Sequence, residues 1–209
     1  NCTIEADPTG AAIAKKYNDQ VRPLMEKVVG SLKDDLSISN AEGQYDSSLG
    51  NAICDAMRKE SGADIAAYNW GGIRLENISA GEVKLDTLFR LLPFDDPVVV
   101  IKVKGKDLLD LFTQSIRMTE TGPLQASGVE MVADGNTKEV ISLKVNGKDV
   151  DPEADYTVAT TEFLSKGGDN YSALGRGETI KTIGITRDVF VDYLKSFDSM
   201  PAPATGRLI

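Results

Sequence analysis

The stretch Asp64-Ile65-Ala66-Ala67-Tyr68-Asn69-Trp70-Gly71-Gly72-Ile73-Arg74 is the passage from which the fold is read. Its first six residues form a short apolar run that reads as a buried strand. Gly71-Gly72 then turns the chain out of it, since glycine accepts backbone angles that other residues resist. A strand that ends in a glycine turn is a good place for a ligand. Upstream, residues 48–60 read as a helix with Leu49, Ile53 and Ala56 on one face and a natural stop near Gly62. Residues 11–29 read as an amphipathic helix through Ile13, Tyr17, Val21, Leu24 and Val28, with a kink or restart expected at Pro23.

Downstream, residues 84–92 are predicted helical, Pro93-Phe94-Asp95-Asp96-Pro97 forms a stiff loop, and residues 98–103 form a β-branched strand. Gly105 opens a helix in which Leu109, Phe112 and Ile116 share a face. Residues 129–132, 140–145 and 156–161 read as strands, with hairpin-type turns at Asp134-Gly135 and Asn146-Gly147. The stretch 165–172 has no periodicity and too much glycine for an element, and Phe190, Tyr193, Leu194 and Phe197 mark a closing helix. Hairpins interleaved with helices predict mixed sheets in an α/β (α+β) domain.

The 209 residues fit one domain with a well-buried core. Residues 1–29 are read as its leading helix and linker. Hydrophobic residues make up 41% and charged residues 26%, so neither disorder nor a membrane-spanning chain is expected. A net charge of -9 argues against a polymeric nucleic-acid partner, whose affinity rests on clustered Lys and Arg. A small anion needs only one well-placed arginine. Histidine is absent. That rules out a Ser-His-Asp triad or a His-bearing zinc site built from these residues alone. The acid pairs Asp34-Asp35 and Asp95-Asp96 are expected to be solvated turn residues, and Cys54 a small buried core residue. Cys2 reads either as the remnant of a lipid-anchor site or as a free terminal thiol. Because the chain begins at Asn1, removal of a signal peptide or an upstream domain is expected.

Three irregular segments join special backbone residues to side chains suited to ligand contact: Asn69 to Arg74, Leu92-Pro93-Phe94, and Gly167-Gly168-Asp169-Asn170-Tyr171. Taken singly, each has a plain alternative. A Gly-Gly pair makes tight turns, a loop phenylalanine plugs cores, and an arginine joins surface ion pairs. Together with Leu49-Gly50-Asn51-Ala52-Ile53-Cys54-Asp55-Ala56-Met57 and Leu124-Gln125-Ala126-Ser127-Gly128, and in this order, they resemble the C-terminal domain of 5'-nucleotidases and periplasmic UDP-sugar hydrolases.

The resemblance implies mixed sheets with flanking helices in α/β/β/α layers, closing over a divalent metal pair carried by a separate N-terminal metallophosphoesterase domain. It implies no cofactor in this chain and a nucleotide or nucleoside ligand. Phe94 and Tyr171 would sandwich the base, and Asn69, Gly71, Gly72, Arg74, Gly168 and Asp169 would complete the substrate site, with Arg74 on phosphate. It further implies an extracytoplasmic location. Trp70 stands where the family has the first glycine of its triplet, and Asn170 where it has the second glycine of a Gly-Gly-Asp-Gly-aromatic run. A further phosphate-binding arginine of the family finds no match in Glu42-Gly43-Gln44-Tyr45-Asp46, which implies a weakened phosphate grip. The rival expectation is a stand-alone module that binds nucleosides or other small molecules without chemistry, and a third is a degenerate domain kept for its fold.

Overall fold

A β-branched run that is buried on both faces needs apolar layers on either side of the sheet it enters. Residues 97–104 are such a run, and in the computed structural model, which describes residues 7–118 and 122–209, they form the longest strand of the central sheet together with residues 178–185. In chain order the elements are α1 (Pro8–Met25), β1 (Val28–Leu32), β2 (Leu36–Ser37), α2 (Ser48–Ser61), β3 (Ile65–Tyr68), β4 (Asn77–Ile78), β5 (Gly81–Lys84) and α3 (Leu85–Leu91). They continue as β6 (Pro97–Lys104), α4 (Gly105–Arg117), β7 (Gln125–Ser127), β8 (Val129–Asp134), β9 (Glu139–Val145), β10 (Lys148–Asp149), β11 (Asp155–Thr161), α5 (Glu162–Ser165), β12 (Glu178–Ile185) and α6 (Thr186–Lys195).

The central sheet has the order β12-β6-β11-β3-β7. Only β11 and β3 run parallel; the other neighbours are antiparallel. The period-2 alternation of the strands divides the core in two. Ala66, Tyr68, Val98, Val100 and Ala159 pack with α2, α3 and α6. Ile65, Ala67, Val99, Ile101, Val103 and Val158 pack with α4 and the β8–β9 hairpin. The fold is therefore mixed α/β, with a three-stranded sheet (β10-β9-β8) and two short pairs (β1-β5 and β2-β4) beside the central one.

The helix over α2 follows its sequence signals closely. Ser47 caps it by accepting from the Gly50 N–H, and Gly62 ends it in the left-handed conformation with φ 72°. Cys54 is fully buried and free, and burial pushes its thiol pKa up, as befits a core residue. Cys2 lies outside the described residues. The expected leading helix is present but shifted. It runs through Pro23 to Met25 without restarting, and Val28 begins β1 instead. None of its residues is buried, so Ile13, Tyr17, Val21 and Leu24 present their stripe to solvent.

The chain's end is held by a buried carboxylate. Asp46, fully buried, accepts from Asn51 Nδ2 at 2.7 Å and from the main-chain N–H groups of Gly206 (3.1 Å), Arg207 (3.3 Å) and Leu208 (3.3 Å). Arg207 then forks onto Asp55 at 2.7 and 2.8 Å. Asp46→Ala strands several buried donors, and each unpaired donor costs roughly 1 to 3 kcal/mol. The expected outcome in urea denaturation is a loss of about 3 kcal/mol in unfolding free energy with an unchanged m-value.

Candidate functional site

Strand direction brings the loops of interest to one place. β3 and β11 are parallel and end at Tyr68 and Thr161, while β6 and β7 run against them and begin at Pro97 and Gln125. The segments at those ends meet outside the carboxyl ends of the parallel pair, the usual place for a ligand cleft in a sheet of this kind. They enclose a cleft of about 940 Å³ lined by, among others, Asn69, Trp70, Gly71, Gly72, Arg74, Phe94, Asp96, Phe163 and Asp169.

The turn after β3 is a single 3₁₀ turn over Trp70–Gly72. Gly72 is buried because Tyr68 lies across it: a Cβ there would stand 2.6 Å from the Tyr68 hydroxyl. The Arg74 side chain is exposed at the cleft, donates to the Gly71 carbonyl at 3.3 Å, and forms no ion pair among the described residues. Asn69 donates its Nδ2 to Asp169 Oδ2 at 2.6 Å, which joins the first and third loops. Asp169 adopts a costly conformation there, with φ 50° and ψ 29°, and Asn170 follows at φ 64°. Left-handed non-glycine residues of this kind persist only where the surroundings hold them.

The Phe94 loop is pinned from below. Arg187, whose side chain is nearly buried, donates to the Leu92 carbonyl at 2.9 Å and to Asp95 Oδ1 at 2.6 Å, and its guanidinium lies 3.8 Å from the centre of the Phe89 ring. Thr186 donates both its N–H and its hydroxyl to the Asp96 carbonyl. Phe94 itself is 53% exposed on the cleft.

Tyr171 is not where the resemblance puts it. Its ring is fully buried in the core beneath α4, with the hydroxyl donating to the Gly122 carbonyl at 3.4 Å and burial pushing its pKa up to about 12. Tyr171, Ala173 and Leu174 pack inward together while Ser172 between them stays exposed, and the fully buried ring takes no part in the cleft lining. The other exposed phenylalanine lining the cleft is Phe163 in α5, 47% exposed. Gly168 serves that ring, since a Cβ on it would lie 2.5 Å from the Phe163 ring carbons. Phe163 was legible in one respect: Phe163 and Leu164 are adjacent apolar residues on a single helical turn, so burying Leu164 turns its neighbour outward.

Asp95-Asp96 is only partly the solvated pair the sequence predicts. Asp95 is exposed but paired with Arg187. Asp96 is half-buried on the cleft wall, and its Oδ1 accepts from the Phe163 N–H at 3.3 Å. Burial raises its carboxyl pKa against the lowering effect of the Thr161 hydroxyl and the Phe163 N–H. With Glu162 and Asp169, the lining carries four carboxylates, and Arg74 is the one cation among the described lining residues. Trp70 adds a third aromatic wall, its indole packed on Gly122, where a Cβ would come within 2.8 Å of the ring.

Fold and cleft together define an α/β domain with an aromatic-walled, acidic pocket at the ends of its parallel strands. The chain belongs to the 5'-nucleotidase C-terminal domain family, whose model matches residues 28–176. It is 32% identical over 202 residues to Endonuclease YhcR of Bacillus subtilis, covering 93% of this chain and 16% of that protein. Identity to Protein UshA of Yersinia enterocolitica is 26%, covering 96% of this chain and 36% of that protein. Among solved structures, the 5'-nucleotidase precursor from Thermus thermophilus superposes with a TM-score of 0.82 at 29% identity, over 95% of this chain and 42% of that one. The chain spans less than half the length of each of these relatives.

Because Trp70 is the only tryptophan, its emission reports on the cleft wall directly. Gly122→Ala forces the indole off its seat and also strains a backbone at φ 72°. Fluorescence spectroscopy on the folded variant is expected to show the emission maximum moved to longer wavelength as the ring gains contact with water.

Proposed function

We propose that this chain is the substrate-recognition part of a 5'-nucleotidase-type phosphohydrolase, gripping a nucleotide or nucleoside by its base. The observation that carries the reading is the pair of half-exposed rings, Phe94 and Phe163, on one cleft with Arg74, which has no ion-pair partner among the described residues. A planar base offers two faces and gains from an aromatic on each. Asn69 and Asp169 hold one another at the cleft and in this reading take the ribose hydroxyls, and the Arg74 guanidinium offers charge-assisted bonds to a phosphate. Gly71 leaves the backbone there open, since a Cβ on it would meet nothing closer than 3.7 Å, while Gly72 makes room for the Tyr68 ring.

Hydrolysis in this reading belongs to a metallophosphoesterase domain outside these residues, on the same or a separate chain. The family resemblance implies a divalent metal pair, and the residues present do not fit one. The chain has no histidine, and the described residues contain no group of three or more His, Cys, Asp or Glu able to hold a metal ion. Residues 1–209 then act as one recognition domain whose leading helix and linker end before β1 rather than at residue 29, a division supported by the solvent-facing α1 and by a family match that starts at Val28. We place the protein outside the cytoplasm; a Snake venom 5'-nucleotidase of Naja atra, 26% identical over the whole chain, supports this. Among the described residues no helix is long and apolar enough to cross a membrane. The acidic lining around a single arginine favours a second reading, a module that captures nucleosides without chemistry.

Calorimetric titration of nucleosides tests the clamp. Phe94→Ala and Phe163→Ala are each expected to weaken binding roughly 5- to 150-fold, the worth of one base–aromatic stack. Gly168→Ala is expected to mimic the loss by displacing the Phe163 ring, whereas Tyr171→Phe leaves affinity unchanged. Full affinity in both phenylalanine variants, with thermal melting intact, removes the clamp from the reading.

Arg74→Ala is expected to cost a 5'-nucleotide about 1.5 to 3 kcal/mol of binding and the matching nucleoside almost nothing. Equal losses for both ligands in the same titrations make Arg74 a structural residue instead.

A further inference from the structure

The cleft's carboxylates are not equivalent. Asp95 is paired with Arg187, Glu162 with Lys166 at 3.0 Å, and Asp169 takes the Asn69 amide. Asp96 has neither a cationic nor an amide side-chain partner among the described residues; its donors are the Phe163 N–H and the Thr161 hydroxyl. An ionised carboxylate has about four acceptor sites, so acceptor capacity is left over on a half-buried group that faces the cleft. Its placement is also specific. It lies two residues after Phe94 and accepts from the main chain of Phe163, so it is tied to the supports of both rings and lines the same cleft as they do.

We infer that Asp96 reads the edge of the stacked base and selects a purine with two adjacent N–H donors, the arrangement of the guanine N1–H and 2-amino group, over adenine or uracil. The inference rests on the aromatic clamp proposed above. A carboxylate can only accept, so two parallel donors satisfy it as a fork. Adenine sets its amino group beside the N1 lone pair, and uracil flanks its one N–H with two carbonyls. Each therefore turns an acceptor toward Asp96, and a desolvated acceptor facing a carboxylate is penalised. Hypoxanthine keeps N1–H but lacks the amino group and falls between.

The test uses this chain and four free nucleosides, guanosine, inosine, adenosine and uridine, with binding followed by calorimetry and by Trp70 emission. Guanosine is expected to bind roughly tenfold or more tighter than inosine, the worth of one charge-assisted hydrogen bond. 1-Methylguanosine, which lacks the N1–H, is expected to lose at least as much, and this arm needs no variant. Asp96→Asn keeps the side chain's shape and an acceptor for the Phe163 N–H while adding a donor, and is expected to bring adenosine level with guanosine or above it. Equal affinity for guanosine, adenosine and uridine overturns edge reading and leaves the clamp standing. So does an Asp96→Asn variant that weakens all four alike with a lowered melting temperature, which makes Asp96 only a cap on α5. Absence of binding by every nucleoside removes both.

Discussion

Strand β11 is the piece on which the arrangement turns. It pairs parallel with β3 on one side, through Val158–Ile65 and Ala159–Ala66, and antiparallel with β6 on the other through seven consecutive pairs from Asp155–Lys104 to Thr161–Val98. A slip of one residue would exchange Val158 and Ala159 between the two core layers, so the register is set by burial on both faces. That register in turn fixes which loops share a sheet end. The turn after Tyr68, the loop before Pro97 and the helix after Thr161 are brought together by main-chain pairing alone, before any of their side chains touch.

Within the cleft, the aromatic walls are shaped as much by absent side chains as by present ones. Gly168 lies against Phe163, Gly122 against Trp70 and Gly72 against Tyr68, each with no room for a methyl group. Phe94 is set differently, through a loop that Thr186 and Arg187 hold at three points. Rings seated in this way lose little further freedom when a ligand enters, and that reduces one of the main entropic costs of binding. Arg74, the residue proposed for a phosphate, has only the Gly71 carbonyl to hold it among the described residues. Where the family carries another arginine, the chain has residues 42–46, whose Asp46 is committed to the C-terminal backbone.

Much of the fold was legible because local chemistry and tertiary packing agree. The capped α2 with its Gly62 stop, the buried β3 and the Asn146-Gly147 turn, both of whose residues have positive φ, follow from residue type alone. Strand β12 was not legible: it is an edge strand, exposed along its first five residues, so its burial leaves no alternation to read. The family resemblance pointed to loops that the structure gathers around one cleft, and to a ring, Tyr171, that the structure turns away from it. Tyr171 and Phe163 are both aromatic residues within a few positions of Gly168, and which one faces the cleft is decided by the inward packing of Tyr171, Ala173 and Leu174 with α4. Asp96 was hidden for a similar reason, since an acid in a proline-flanked loop looks solvated until its neighbours across the sheet are known.

The buried Asp46 carboxylate bears on the order in which the chain can be completed. Its main-chain donors, at Gly206, Arg207 and Leu208, lie about 160 residues downstream. The β3–β11 pairing likewise closes a loop of more than ninety residues. During synthesis, then, α2 and its layer emerge early with a carboxylate that has only Asn51 to satisfy it, and they wait for almost the whole domain before the core can seal. Contacts of such long sequence separation fold slowly, because the entropy of loop closure is lost before the contacts offset it. A nascent chain of this domain is therefore exposed to chaperones and proteases until Gly206, Arg207 and Leu208 have emerged.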